Sequence, residues 1–266
     1  MEKEKNNILQ VSNLKTYFYT SSGVIKAVDD VSFNIEKGKV FGVVGESGSG
    51  KTLTALSILK LVSPPGRILD GQVIFSGIDL LKADEDLLRN VRGSKISFVF
   101  QEPASSFNPV FSIGEQIVEV ILAHQKAGRA AAEERALEYM KKARINDPER
   151  IFYSYPHQLS GGTKQRAMIS MALINSPELI ILDEPTTALD VTIQARILDM
   201  LDEIIHKENL SILFISHDFG VVARMCDSVA VMNKGKIVES GDVSDILNNP
   251  KEPYTISLLE SVKALS

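Results

Sequence analysis

At 266 residues, 44% of them hydrophobic and 24% charged, the chain has the composition of a globular protein large enough for a substantial core, and neither disorder nor a fibrous repeat is indicated. Its formal charge of −5 argues against general nucleic-acid binding, and no apolar run approaches the roughly 18 to 20 residues that cross a bilayer. A lone Cys226 excludes a disulfide, a four-cysteine zinc site or a cysteine-held iron–sulfur cluster within this chain; it reads as a buried small hydrophobe.

The opening, Met1 to Asn7, has no apolar core for a secretory signal, so the protein is expected to stay in the cytoplasm. Ile8 to Val11, Lys26 to Ile35 and Gly71 to Ser76 read as strands joined by turns, the pattern of an antiparallel lobe. Val40 to Val44, Lys95 to Phe100, Leu179 to Leu182 and Ser211 to Ile215 read instead as buried strands of a parallel sheet with helical crossovers. Between about 112 and 158 the strand signal vanishes. Ile113, Ile117, Val120, Ile121, Leu137 and Met140 fall at helical spacing there and predict a helical subdomain, with Pro148, Pro156 and Gly161-Gly162 punctuating its exit.

Chemistry enters at Gly45-Glu46-Ser47-Gly48-Ser49-Gly50-Lys51-Thr52. This run fits G-x-x-x-x-G-K-[ST], follows a predicted strand and opens a predicted helix with Leu53, Leu56 and Leu59 on one face. Glycines let the backbone curl until successive N–H groups point inward, and the helix N-terminus adds positive potential. Lys51 is expected to reach the β/γ-phosphates and Thr52 to ligate Mg²⁺. By itself the loop fits a kinase, a GTPase or a recombinase equally well, so it predicts the ligand and not the reaction.

Leu179 to Leu182 runs into Asp183-Glu184-Pro185, which places two carboxylates at the carboxyl edge of a parallel sheet, where ligands usually bind. Asp183 is expected to hold Mg²⁺, and Glu184 to orient or deprotonate an attacking water. Gln101 follows Lys95 to Phe100 in the same manner and is expected to reach Mg²⁺ or water. His217 follows Ser211 to Ile215 and is expected to contact the γ-phosphate.

Leu159-Ser160-Gly161-Gly162-Thr163-Lys164-Gln165-Arg166 is similar to the LSGGxxQR signature of ABC ATPases. The order phosphate loop, Gln101, signature, Asp183-Glu184, Ala188-Leu189-Asp190 and His217 resembles the complete set of that family. The resemblance implies an α/β fold: a P-loop ABC ATPase with a mixed sheet core, an antiparallel β lobe and an inserted helical subdomain. The corresponding division is 1–100 with 160–247 for the ATP-binding core and lobe, 101–159 for a permease-docking helical subdomain, and 248–266 for a short tail. It further implies hydrolysis of ATP to ADP and phosphate with Mg²⁺, and a head-to-tail pair of cassettes. In that pair Gly45 to Thr52 would hold one nucleotide, while Ser160, Gly161, Gly162, Gln165 and Asp190 of this chain would meet the nucleotide held by a second, different ATPase subunit. Read without the family, Ser-Gly-Gly before a helix is an ordinary N-cap. Phe18, with Tyr17 or Tyr19 as alternatives, resembles the aromatic on which adenine stacks.

Gln101 to Pro109, Tyr155-Pro156-His157-Gln158 and Asn249 to Thr255 resemble the peptide and nickel importer branch. That implies two permeases, an external binding protein and a peripheral place on the cytoplasmic face of the membrane, without nucleic acid. Glu252 stands where many members have His, and the cysteine-rich extension of the longer peptide-type members is not seen. Together these lean the reading toward a nickel-type or metallophore-type subunit. The alternatives are a soluble non-transport ABC ATPase and an exporter cassette.

Overall fold

The computed structural model describes residues 6–21, 23–187 and 189–263. Most of the opening segment and Ala188, both named above, lie outside them. In chain order the elements are β1 (Asn7–Thr20), β2 (Gly23–Glu36), β3 (Val40–Val44), α1 (Lys51–Ile58), β4 (Gly66–Phe75), β5 (Ile78–Asp79), α2 (Glu85–Val91) and β6 (Ile96–Val99). Then come α3 (Pro103–Ser106), α4 (Ile113–His124), α5 (Arg129–Lys142), α6 (Pro148–Phe152), a 3₁₀ turn (Pro156–Gln158), α7 (Gly161–Leu173) and β7 (Leu179–Asp183). The chain finishes with α8 (Val191–Glu208), β8 (Ser211–Ser216), α9 (Phe219–Met225), β9 (Ser228–Asn233), β10 (Lys236–Asp242), α10 (Val243–Asn248) and α11 (Pro253–Lys263).

These elements form two compact units, one made of the described residues up to Leu88 with those from Ser211 onward, the other of Arg89–Leu210. The first unit holds the antiparallel lobe, in the order β2-β1-β4-β5. Its strands are longer than the sequence pattern suggests. β1 continues to Thr20, because shifts of register after Val11, Leu14 and Thr16 re-aim the side chains and break the simple alternation. Beside the lobe, β3 pairs in parallel with both β8 and β9, while β10 returns antiparallel on β9, so the sheet is mixed, as expected. The β9–β10 hairpin, not foreseen from the sequence, turns on Lys234 and Gly235 with φ of 44° and 83°, a left-handed pair suited to a two-residue turn. Val44, Phe219, Val222, Val229, Val231, Val243, Ile246 and Leu259 make one core, with Cys226 packed partly buried against it. Burial pushes the Cys226 thiol up, which keeps it protonated.

In the second unit β6 and β7 run parallel, with Val99 opposite Leu182. Where the strand signal vanishes the chain forms α4, α5 and α6. Ser112 and Glu115 close a reciprocal capping box at the start of α4, and Ile113, Ile117, Ile121 and Met140 are buried as foreseen. Val120 and Leu137 are only half-buried, and Val118, Ala132, Ala136 and Tyr139 complete the buried faces instead. Gly114 lets α4 approach α6 so closely that a Cβ there would lie 2.3 Å from the Phe152 ring.

Candidate functional site

The phosphate-type loop sits in the first unit, where three glycines meet three different demands. A Cβ at Gly45 would lie 2.2 Å from the Met232 carbonyl oxygen, so this position needs close backbone approach. Gly48 needs its conformation, φ +79°, in open space. Gly50 needs both: φ is +110°, and a Cβ would lie 2.2 Å from the Ala27 carbonyl oxygen. Bracing is by main chain on the hairpin side, since Gly235 N–H donates to Ser49 O (2.8 Å) and Asp29 N–H to Gly235 O (2.7 Å).

Lys51 is 4% exposed and folds back over the loop, its ammonium donating to the carbonyls of Gly45 (2.8 Å) and Glu46 (2.9 Å). The Ser49 hydroxyl is buried without a hydrogen-bond partner. A curled backbone, a buried ammonium laid over the loop and an orphaned hydroxyl suit an incoming polyanion rich in acceptors. Behind the loop, α1 buries Ala55 and Ile58, and Leu59 just past its end is buried too, whereas Leu53 and Leu56 are half-buried. Thr52, in the first turn of α1, is exposed.

Parallel pairing explains where His217 falls. Val44 lies opposite Ser216, so the next residues, Gly45 and His217, leave the same sheet edge. Asp218 caps α9 by accepting from Gly220 N–H at 2.7 Å. Of the three aromatics, Tyr17 donates its hydroxyl to Asp29 at 2.6 Å, and Tyr19 lies under Arg67. Phe18 lies against Gly66, where a Cβ would be 2.7 Å from the ring.

The second unit carries the acids. With Val99 opposite Leu182, equal offsets bring Gln101 beside Glu184, and Gln101 Nε2 donates to Glu184 Oε2 at 3.1 Å. Thr187 Oγ1 donates to the same oxygen at 2.9 Å. Thr187 was not anticipated; the only signal was a hydroxyl three residues beyond an acid at a strand-to-turn corner. Asp183 is 2% exposed at the end of β7. Glu184 has φ +46°, a left-handed backbone that costs a non-glycine residue about 1–3 kcal/mol.

Ser160 caps α7, its hydroxyl within 2.9 Å of Thr163 Oγ1. Gly161 is exposed beside it. Gly162 is buried, and a Cβ there would meet Ile193 Cγ2 at 2.8 Å, so it has a packing role in seating α7 on α8. Gln165 is 1% exposed with its Nε2 unpartnered. Asp190 caps α8, accepting from Ile193 N–H at 2.9 Å.

The family model described as "ABC transporter" matches residues 28–187. The chain is 48% identical over 256 residues to a probable peptide ABC transporter ATP-binding protein of Sinorhizobium fredii, covering 96% of this chain and 76% of that one. It is 46% identical to the oligopeptide transport ATP-binding protein OppD of Bacillus subtilis, covering 97% and 72%. Among solved structures it resembles the dimeric post-hydrolysis state of the ATP-binding cassette MJ0796 bound to ADP and Pi, with TM-score 0.80, 26% identity, and coverage of 88% of this chain and 98% of that one.

Proposed function

From the premise that this chain belongs to the ABC transporter family and is an ATPase that powers import, we propose that its cargo is a peptide and that its two half-sites serve two nucleotides. In the first half-site Gly45 to Thr52, His217 and an aromatic, Phe18, hold ATP together with Asp183, Glu184 and Gln101. In the second, Ser160, Gly161, Gly162, Gln165 and Asp190 face ATP carried by a second cassette, so that each chain completes its partner's site. The dimeric cassette to which the chain is similar supports this reading.

The observation that carries the mechanism is the Glu184 carboxylate held between Gln101 and Thr187. Two donors fix the carboxylate's direction, and so held it accepts a proton from water. As the water oxygen bonds to the γ-phosphorus, the bond from that phosphorus to the β–γ bridging oxygen breaks, giving ADP and phosphate. General-base help of this kind contributes about 10²–10⁴ in rate. The hydroxyl of Thr52, the carboxylate of Asp183 and the amide oxygen of Gln101 are the hard oxygens that would hold Mg²⁺. The ion, when bound, neutralises charge on the phosphates. Gln101 uses its Nε2 for Glu184, so its Oε1 remains available for that set.

Among the described residues no helix is long and apolar enough to cross a membrane. As an ATP-binding component like its relatives, the chain works with permeases, and the helical subdomain offers a docking patch. Val110, Phe111, Tyr153 and Tyr155 are 71%, 48%, 74% and 40% exposed and flank the hydrogen bond from Ile113 N–H to Ser154 O. Gln116 pins that loop through Asn108 and Phe111. Docking there would set the chain on the cytoplasmic face of the membrane.

The relatives' names favour a peptide over nickel, against the lean drawn from Glu252 and the short tail, and an importer over an exporter cassette or a soluble ATPase. In proteoliposomes holding the assembled transporter, short peptides delivered by the binding protein should stimulate ATP hydrolysis and be taken up. Stimulation by a nickel chelate and not by peptides would overturn the cargo assignment.

A further inference from the structure

The run Asn249 to Thr255, with its Pro-Tyr-Thr ending, has no part in the chemistry above, yet it reaches the phosphate loop. Tyr254, in the first turn of α11, accepts the main-chain N–H of Glu46 at 3.3 Å, a contact between residues 208 positions apart. Glu46 is the residue whose carbonyl holds the Lys51 ammonium at 2.9 Å, so the peptide planes on either side of Glu46 are tied to Tyr254 and to Lys51.

The tyrosine is itself held from two directions. Its ring and Leu258 pack against the core cluster that includes Val44, the residue immediately before the loop. From β10, Glu239 accepts the N–H groups of Lys251 (2.8 Å) and Glu252 (3.3 Å). Those are the two amides that precede Pro253, so a carboxylate from another element caps the start of α11.

We propose that Tyr254 is a positioning residue for nucleotide binding: with Glu239 it clamps Glu46, fixing the entrance of the phosphate loop so that its remaining amides are already arranged for the β- and γ-phosphates. This rests on the reading of Gly45 to Thr52 as the nucleotide cradle. Because the clamp acts on the loop and not on the γ-phosphate, it aids ATP and ADP alike. A loop that must be ordered on binding pays for the fraction of time it is misarranged.

The test uses the full-length chain and titration calorimetry with ATP and with ADP. Tyr254→Phe removes the hydroxyl while leaving the ring in the core, so the melting temperature should stay close to that of the unsubstituted chain. Both nucleotides should bind about 3- to 10-fold more weakly, the range expected for one lost hydrogen bond. Amide exchange at Glu46 should accelerate, and in the assembled transporter the KM for ATP should rise with kcat nearly unchanged. Glu239→Ala should weaken both nucleotides in the same direction. Unchanged affinities in Tyr254→Phe, or a loss for ATP without one for ADP, would overturn the clamp. Failure of the unsubstituted chain to bind either nucleotide would instead overturn the cradle beneath it, and the clamp with it.

Discussion

Alanine at Gly50 and at Gly48 should have very different effects on nucleotide affinity, and the structure gives the reason. At Gly48 the only demand is φ +79°, with open space around the position. A left-handed alanine costs roughly 1–2 kcal/mol, and if the free loop relaxes to escape that cost, affinity falls at most about 5- to 30-fold. At Gly50 the same conformational cost applies, and the new Cβ would lie 2.2 Å from the Ala27 carbonyl oxygen and 2.7 Å from Met232 Cε. Carbon atoms do not approach a backbone oxygen so closely, so the loop must move away from β2 by roughly 1 Å, and losing two charge-assisted main-chain hydrogen bonds to phosphate, at about 1.5 kcal/mol each, costs about 10²-fold. Gly50→Ala should therefore lose two orders of magnitude or more and Gly48→Ala clearly less. Equilibrium titration of both variants with ATP, beside thermal unfolding to verify folding, measures this. Equal losses, or Gly50→Ala within about threefold of the unsubstituted chain, would refute the argument from backbone contact.

Glu184→Gln keeps a side chain that can pair with Gln101 and Thr187 but cannot take a proton, so steady-state hydrolysis in the assembled transporter should fall about 10²–10⁴-fold with ATP binding retained; hydrolysis within tenfold of normal would remove Glu184 from its role. Gly114→Ala drives a Cβ into the buried Phe152 ring and should cost about 3 kcal/mol of overpacking, a fall in Tm of roughly 5–10 °C for a chain of this size. A scan showing no change would mean that α4 and α6 separate freely. Asp29 is held below its ordinary value chiefly by the Tyr17 hydroxyl, with Lys26 and Lys236 adding to this and burial opposing it. A lowered carboxyl stabilises the fold above the unfolded value near 4, and that stability is lost as pH falls through the native value. The Tm gap between the unsubstituted chain and Asp29→Asn should accordingly be present at pH 7 and close below about pH 4; a gap independent of pH would contradict the pairing.

What the sequence disclosed followed from periodicity and local spacing. β3, β7 and β8 are short apolar runs ending at sheet edges, and residues just past such edges, Gly45, Asp183, Glu184 and His217, could be read as a group for that reason alone. Ser112 and Glu115 at capping-box spacing were an equally local signal for the start of α4 and were passed over. The long first strand was hidden, because its changes of register destroy the alternation on which the reading depends. Lys234-Gly235 was a legible hairpin turn between two strand-like runs and was passed over. Thr187 and Tyr254 were beyond reach for different reasons: the first depends on how a turn folds back on Glu184, and the second on a contact spanning most of the chain. Gly162 shows the converse, a glycine whose place in a motif suggested phosphate and whose packing against Ile193 gives it a second, structural reason.

The left-handed backbone at Glu184 bears on how such a cassette would decay over evolutionary time. Glycine adopts that conformation without strain and asparagine with little, so replacing the proton acceptor by either would relax the fold by up to about 1–3 kcal/mol. Drift toward glycine at this codon therefore relieves the backbone while giving up two side-chain hydrogen bonds, a setting in which activity and stability can conflict. In the fold the hydrogen bonds from Gln101 and Thr187 favour a glutamate against that strain, and on the reading proposed above selection for the reaction does the rest.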